Sequence, residues 1–276
     1  MMVEALVYFF VPALVGVLIG IASGLLGIGG GTVMVPIFRL AFGMSATMST
    51  ATSLFAIIPT SISGAISHVK GKTCIPALGI AAGLGGACLS PVGVWLAQLS
   101  PDWLVMLAAA LIIGYSAINM FKKAFKVPRA GQPAEGADAA ASAPTADDSS
   151  LSREQLLQGA AIGLVAGLAS GYVGVGGGFI MVPLMLSIIG IPMRKASGTS
   201  LIAVMILAIP GVIEQGIIGN INYLAGIAIV IGTIPGAVIG ARLVTKVPER
   251  TLRLLFGCFL IVAAVMLVLN EVGIFG

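Results

Sequence analysis

The stretch ASGLLGIGGGTVMVP at residues 22–36 returns as ASGYVGVGGGFIMVP at residues 169–183, displaced by 147 positions. The correspondence continues downstream, where the string T-S-L occurs at residues 52–54 and again at 199–201. Both copies lie inside apolar stretches, so the chain is an internally duplicated protein. Glycine-broken hydrophobic segments at matching places in two halves are typical of transporter binding sites near the middle of a bilayer.

Composition assigns the chain to a membrane. Of its 276 residues, 58% are hydrophobic and only 9% are charged, and the mean hydropathy is +1.13. A soluble core could not bury so much apolar surface. We therefore predict an all-α, polytopic membrane protein. Eight apolar runs approach or exceed the roughly 20 residues that a spanning helix needs: about 6–26, 45–68, 74–98, 103–121, 156–175, 196–218, 222–243 and 251–270.

A polar segment separates the two copies. It is rich in Ala, Pro, Ser, Gly and acidic residues and has no apolar periodicity, which indicates a linker without a packed core. Lysines and arginines flank it, and the positive-inside rule then places it in the cytoplasm. We predict an N-terminal membrane repeat at residues 1–125, a cytoplasmic linker at 126–155 and a C-terminal membrane repeat at 156–276.

Two short apolar pieces, at residues 32–43 and 179–190, decide the topology. As helices they would be about 18 Å long, shorter than the roughly 30 Å hydrocarbon core, so full crossing and a re-entrant course both stay open. If each counts as a pass, each half has about five passes, the halves are inverted, and the basic loops face the cytoplasm with both termini outside. If the two pieces do not cross, the basic residues between 194 and 253 lie outside, which violates the positive-inside rule. We favour five passes per half.

The glycines themselves predict a binding site. Five glycines lie within residues 24–31 and favour a broken helix, whose exposed amides and half-helix N-termini attract anions. Close helix packing is the competing interpretation for glycines, and the four-residue spacing of Gly16, Gly20 and Gly24 fits it. The candidate substrate-binding residues are Ser23, Gly27, Gly29, Gly30, Gly31, Thr52, Ser53, Ser170, Gly174, Gly176, Gly177, Gly178, Thr199 and Ser200.

The apolar runs contain few polar residues that are candidates for a function in transport. The hydroxyls after each break could donate to an oxyanion or simply bond neighbouring helices. Glu214 is the one carboxylate well inside an apolar run and is the candidate for coupling or gating, although its closeness to Gly219 also fits an interfacial position. His68, the only histidine, is expected at headgroup level.

The motif G-x-G-G-G-x-x-x-V-P in both halves, followed by T-S-L and a basic linker, resembles the sulfite exporter TauE/SafE family of bacterial membrane proteins. The resemblance implies a multi-pass protein of the inner membrane that transports small sulfur-containing anions such as sulfite, sulfonates or sulfoacetate, without a cofactor. The chain has no Walker A motif, so we expect a secondary transporter working by alternating access. The anion, the direction, the coupling ion and the existence of a homo-oligomer stay open.

Other classes of function fit less well. An intramembrane serine hydrolase would need Ser23 within hydrogen-bond reach of His68 as its base, and the position that matches His68 in the second half is Gln215. Three scattered cysteines predict neither a disulfide framework nor a metal site. The formal charge of +4 reflects basic loops between spans and is not a sign of nucleic-acid binding. The expected partners are a small anion and the lipid bilayer.

Overall fold

The computed structural model describes residues 2–126 and 152–271, and these residues form helices joined by short turns. Seven of the helices are long and apolar enough to cross a membrane, which confirms the all-α polytopic class. Residues 127–151, most of the predicted linker, lie outside the described residues, as do both extreme termini. The helices are α1 (Met2–Leu26), α2 (Gly31–Phe42), α3 (Ala46–Lys70), α4 (Pro76–Leu99), α5 (Asp102–Lys126), α6 (Arg153–Val173), α7 (Gly178–Leu184), α8 (Met193–Ile218), α9 (Tyr223–Leu243) and α10 (Glu249–Glu271).

Glycine seams hold two pairs of helices together. Gly20 and Gly24 of α1 lie against carbonyl oxygens of Thr233 and Ala237 in α9, where an added Cβ would come within 2.3 and 2.1 Å. Only glycine allows two backbones to approach so closely. The packing interpretation is therefore correct for these glycines. An equivalent seam joins α6 to α4 through Gly163, Gly167 and Gly171.

The order of contacts gives the direction of each helix. Gly20 and Gly24 meet Thr233 and Ala237 in the same sequence order, so α1 and α9 run parallel. By the same reasoning α3 runs parallel to α9, because Phe55 lies near Gly226 and Gly64 near Ala237. The second set of parallel helices comprises α4, α6 and α8, through contacts such as Gly163 with Ala82, Gly171 with Ser90, Gly79 with Thr199 and Gly211 with Ser90.

The central helices α3 and α8 run in opposite directions. Leu54 near the start of α3 contacts Gly211 near the end of α8, and Gly64 near the end of α3 contacts Leu201 near the start of α8. Helices α5 and α10 are also antiparallel neighbours, since Arg253 donates to the carbonyl of Lys123 at 3.4 Å while α10 begins where α5 ends. The two sets of helices therefore meet along the α3 and α8 pair.

The short helix α2 follows only half of α3. Its first residue, Gly31, lies against the side chain of Ile57 in the middle of α3, and it ends next to the start of α3 at Ala46. A π-helical turn, Met185–Ile189, extends α7 to a similar length. The segment at 32–43 is thus a half-length helix that returns from the centre of the bundle.

Candidate functional site

Each half contains a break between its first helix and its short helix. We call residues 27–30 the N-terminal break and residues 174–177 the C-terminal break. In both breaks the first, third and fourth residues have φ between +60° and +90°, a conformation that glycine adopts freely and other residues adopt at a cost of about 1–2 kcal/mol. These residues are Gly27, Gly29 and Gly30, and Gly174, Gly176 and Gly177.

The two breaks touch each other, backbone against backbone. A Cβ on Gly31 would lie 2.4 Å from the carbonyl oxygen of Val175, and a Cβ on Gly178 would lie 2.4 Å from the carbonyl oxygen of Gly27. The contact is reciprocal, as the duplication predicts. All residues of both breaks are buried. The structure thus brings the two predicted glycine clusters together into one buried centre.

A pair of equivalent serines adjoins this centre. The Cβ atoms of Ser23 and Ser170 lie 3.7 and 3.5 Å from the positions that a Cβ would take on Gly30 and Gly177. Both serines are completely buried, and neither hydroxyl has a hydrogen-bond partner within the described residues. A buried hydroxyl in a membrane protein is normally paired, so these two are available for a bound group.

The N-terminus of α2 opens onto the same centre. Gly30 precedes α2, no side chain caps the helix, and the amide of Met34 bonds to the carbonyl of Gly30 at 3.2 Å. The free amides of a first helical turn, with the helix dipole, favour negative charge. The C-terminal break differs, because the amide of Gly178 already donates to the carbonyl of Gly176 at 2.6 Å, and Gly31 makes no such bond.

The two threonines predicted to bind substrate, Thr52 and Thr199, accept hydrogen bonds from backbone amides in turns. The hydroxyl of Thr52 accepts the amide of Asn222 at 3.0 Å, just before α9. The hydroxyl of Thr199 accepts the amide of Ile75 at 2.9 Å, just before α4. These bonds are equivalent under the 147-residue shift. They give both threonines a structural task that the T-S-L motif alone does not indicate.

The predicted serines of the T-S-L strings differ between the halves. Ser200 donates to the carbonyl of Gly27 at 2.7 Å, so it closes onto the N-terminal break. Ser53, its counterpart, is buried and its hydroxyl has no partner among the described residues. The structure therefore brings Ser200 to the breaks directly, while it leaves Ser53 unpaired.

Two apolar side chains complete the centre, and sequence reasoning missed both. Ile57 of α3 lies with its Cδ1 atom 2.6 and 2.7 Å from the Cβ positions of Gly31 and Gly176. Val204 of α8 lies 2.9 Å from that of Gly29. Ile57 and Val204 are 147 positions apart, so each occupies the space that a glycine of the opposite half leaves free. The signal in the sequence that could have identified them is the 147-residue spacing between their positions.

Lys123 was also missed. Its ammonium group donates to the carbonyl of Pro183 at 2.8 Å and to the hydroxyl of Ser187, at the π-helical turn that follows α7. A π turn shifts the regular hydrogen bonds of a helix and leaves a carbonyl to be satisfied from outside. The repeat offers no hint of this bond, because the position that matches Lys123 in the second half is Asn270.

His68 has packing contacts that the sequence did not indicate. This residue is completely buried, and its ring nitrogens lie 2.8 Å from the carbonyl of Gly24 and 2.7 Å from the hydroxyl of Thr73. It ties the end of α3 to α1, and its depth at headgroup level stays a prediction. Because both nitrogens are engaged there and Ser23 has no partner, the dyad that a serine hydrolase would need is not formed.

Glu214 lies on α8, one turn beyond Gly211, and is half-buried. One of its carboxylate oxygens is buried without a hydrogen-bond partner in the described part of the chain. Glu214 is therefore an ionisable group inside a candidate membrane span, on a part of α8 away from the two breaks.

The sequence profile of the sulfite exporter TauE/SafE family matches residues 12–267. The chain belongs to the sulfite exporter TauE/SafE family. It is 26% identical to the probable membrane transporter protein YunE of Bacillus subtilis, over 97% of this chain and 99% of that protein. It is 29% identical to a probable membrane transporter protein of Haemophilus influenzae, over 93% of this chain and 97% of that protein.

A third relative is the probable membrane transporter protein YdhB of Bacillus subtilis, 27% identical over 87% of this chain and 92% of that protein. No solved structure matches the chain. As a member of the TauE/SafE family, the protein is a multi-pass membrane transporter and not an enzyme.

Proposed function

We propose that this TauE/SafE protein is a secondary transporter of small anions, namely sulfite, a sulfonate or a related organosulfur anion. Transport proceeds by alternating access around one central site where the two breaks meet. The observation that supports this best is the pair of equivalent, buried and unpaired hydroxyls of Ser23 and Ser170 beside that meeting point. The name of the family supports the choice of sulfur-containing anions.

The donors in this site suit an oxyanion. Hydroxyls donate from Ser23 and Ser170, and backbone amides donate from Gly29 to Gly31 at the start of α2. Of the amides predicted in the second break, that of Gly178 is engaged, so Gly176 and Gly177 remain as donors there. A charged side chain is not required, because helix dipoles supply partial positive charge where the dielectric constant is low.

An inverted repeat supports alternating access around that site. Helix α1 belongs to the parallel set with α3 and α9, and α6 belongs to the opposite set with α4 and α8. On this basis the first helices of the two halves point in opposite directions, as inverted repeats require. The half-length helix α2 returns to the end where α1 began, which supports the proposed five passes per half with both termini outside under the positive-inside rule.

The driving force needs no nucleotide. In a bacterial inner membrane, the interior-negative potential favours expulsion of each negative charge by about 2.3 kcal/mol per 100 mV. Uptake would require a coupled cation or proton, and Glu214 is our candidate for that coupling because an unpaired carboxylate within a span needs a partner. The site itself would be the same for either direction.

The test is anion flux in proteoliposomes containing purified Ser23→Ala, Ser170→Ala and double variants. Each hydroxyl bond to a charged ligand contributes about 1.5–3 kcal/mol, so a single variant should lose at least about tenfold in apparent affinity for sulfite. Ser67→Ala is the matched control, because its hydroxyl already bonds to the carbonyl of Ser63 at 3.2 Å. Wild-type sulfite affinity in a well-folded double variant would refute the central site.

A further inference from the structure

One face of α3 presents a row of serines to the interior. Ser49, Ser53, Ile57 and Ser61 follow each other at four-residue spacing, which places them on one side of the helix. All four are completely buried, and the hydroxyls of the three serines have no hydrogen-bond partner in the described part of the chain. We call Ser49, Ser53 and Ser61 the serine stripe.

Other hydroxyls on the same helix behave differently. Thr60 donates to the carbonyl of Ala56 at 2.7 Å, and Ser63 donates to the carbonyl of Thr60 at 2.8 Å. This local bonding is the usual way for Ser and Thr to satisfy themselves in a membrane helix. The serine stripe does not use it. Three unpaired hydroxyls inside a span are unfavourable unless a ligand or its hydration shell pairs them.

The duplication does not explain the stripe. The positions of α8 that match Ser49 and Ser61 are Ala196 and Ala208. The position that matches Ser53 is Ser200, whose hydroxyl is already bonded to the carbonyl of Gly27. The unpaired polar row is therefore a property of α3 alone, in a helix whose counterpart is apolar or satisfied at the same places.

The stripe leads to the centre of the molecule. Ser49 is in the first turn of α3, and the hydroxyl of Ser61 lies 3.4 Å from the position of a Cβ on Gly29. Ile57, between Ser53 and Ser61, lies against both breaks through Gly31 and Gly176. The polar row thus runs from one end of α3 to the meeting point of the breaks and is interrupted there by one apolar side chain.

We propose that the serine stripe lines the half of the translocation path that leads from outside to the central site, with Ile57 as its constriction. This inference rests on the proposed function and on the orientation given there. The group that moves along the stripe is a small oxyanion with its hydration water, because hydroxyls can donate to the anion and accept from water. Ser49 and Ser53 then line the path on the outer side of Ile57, and Ser61 lies beyond this constriction, beside Gly29.

The experiment is thiol labelling from outside in a variant without Cys74, Cys88 and Cys258. Single cysteines are placed as Ser49→Cys, Ser53→Cys and Ser61→Cys, with Ser67→Cys on the same helix and Ala208→Cys at the equivalent of Ser61 as controls. A membrane-impermeant methanethiosulfonate is the probe. We expect the cysteines at 49 and 53 to react at least tenfold faster than either control. Methanesulfonate, an unreactive sulfonate, should slow that reaction.

Ile57→Ala is the second variant and tests the constriction. Added to Ser61→Cys, it should speed labelling at position 61 at least fivefold and leave labelling at 49 unchanged. Cysteines at 49 and 53 that react no faster than those at 67 and 208, in protein that still transports, would overturn the stripe but not the central site. If labelling occurs as expected but Ser23→Ala and Ser170→Ala bind sulfite normally, the stripe stands and the proposed central site fails.

Discussion

The two halves share their glycines but differ in their hydroxyls. Both breaks have the same three positive-φ positions, and the residue after each break lies against backbone of the other break. On α3, however, Ser49 and Ser61 are buried and unpaired, whereas α8 has Ala196 and Ala208 in their places. The two halves therefore share a backbone frame, while α3 carries buried hydroxyls at two places where α8 carries alanine.

Local bonding differs between the halves too. Gly178 donates to Gly176 within the C-terminal break, and Lys123 braces the π-helical turn after α7 through Pro183. The N-terminal break has neither bond, and its Gly27 carbonyl is instead held by Ser200 from the other half. The two matching strings thus adopt the same fold but different hydrogen bonds, because their neighbours differ.

The largest effect should follow from removing the contact that both halves share. We expect Gly31→Ala and Gly178→Ala each to abolish folded protein, because the new Cβ would lie 2.4 Å from a backbone carbonyl of the opposite break, a contact that packed backbone cannot relieve. The measurement is the yield of monodisperse protein after detergent extraction. Normal yield from either variant would show that the breaks are not in fixed contact.

Two controls separate that clash from other consequences of losing a glycine. Gly114→Ala should be neutral, because nothing lies within 4 Å of its added Cβ. Gly43→Ala also has open space but a φ of +61°, so it should lose only the roughly 1–2 kcal/mol of left-handed strain. Gly31→Ala and Gly178→Ala then report the clash without left-handed strain, and Gly43→Ala reports the strain without a clash.

A moderate effect should distinguish the threonines from the serines. Thr52→Val leaves the amide of Asn222 unpaired, and Thr199→Val does the same to Ile75. Each should lower the free energy of unfolding by about 1–3 kcal/mol without changing sulfite affinity. Thermal unfolding and flux, measured on the same preparations, test this. A loss of affinity with unchanged stability would return both threonines to the substrate site.

The smallest effect concerns Glu214, which has no counterpart in the first half. We expect Glu214→Gln to fold normally and to alter the pH dependence of flux, because its carboxylate is the candidate coupling group and lies away from the breaks. Flux measured from pH 5 to pH 8 at fixed membrane potential is the assay. An unchanged pH profile would remove Glu214 from coupling and leave it an interfacial residue.

Much of the fold was predictable because it depends on patterns that a sequence displays. Apolar runs of spanning length gave the long helices, and the 147-residue shift gave the paired breaks. The glycine pattern predicted broken helices, since glycine freely adopts the positive φ that appears at Gly30 and Gly177. The contact between the two breaks could be proposed from the predicted inverted arrangement, though its atoms could not.

The remainder depends on neighbours that are distant in sequence. Nothing near Thr52 reveals that it receives the amide of Asn222, and His68 looks like an interfacial residue until Gly24 is found beside it. Ile57 is one isoleucine among many until it is placed against Gly31 and Gly176. These roles arise from packing between helices, which no local pattern records.

The most direct measurement is the position of a bound anion in a structure of the saturated protein. Selenite has the charge and shape of sulfite and can be located by anomalous scattering in crystals of the cysteine-free variant. We expect one peak where the breaks meet, within hydrogen-bond distance of the hydroxyls of Ser23 or Ser170. A saturable peak found elsewhere, with the meeting point of the breaks empty, would contradict the central site.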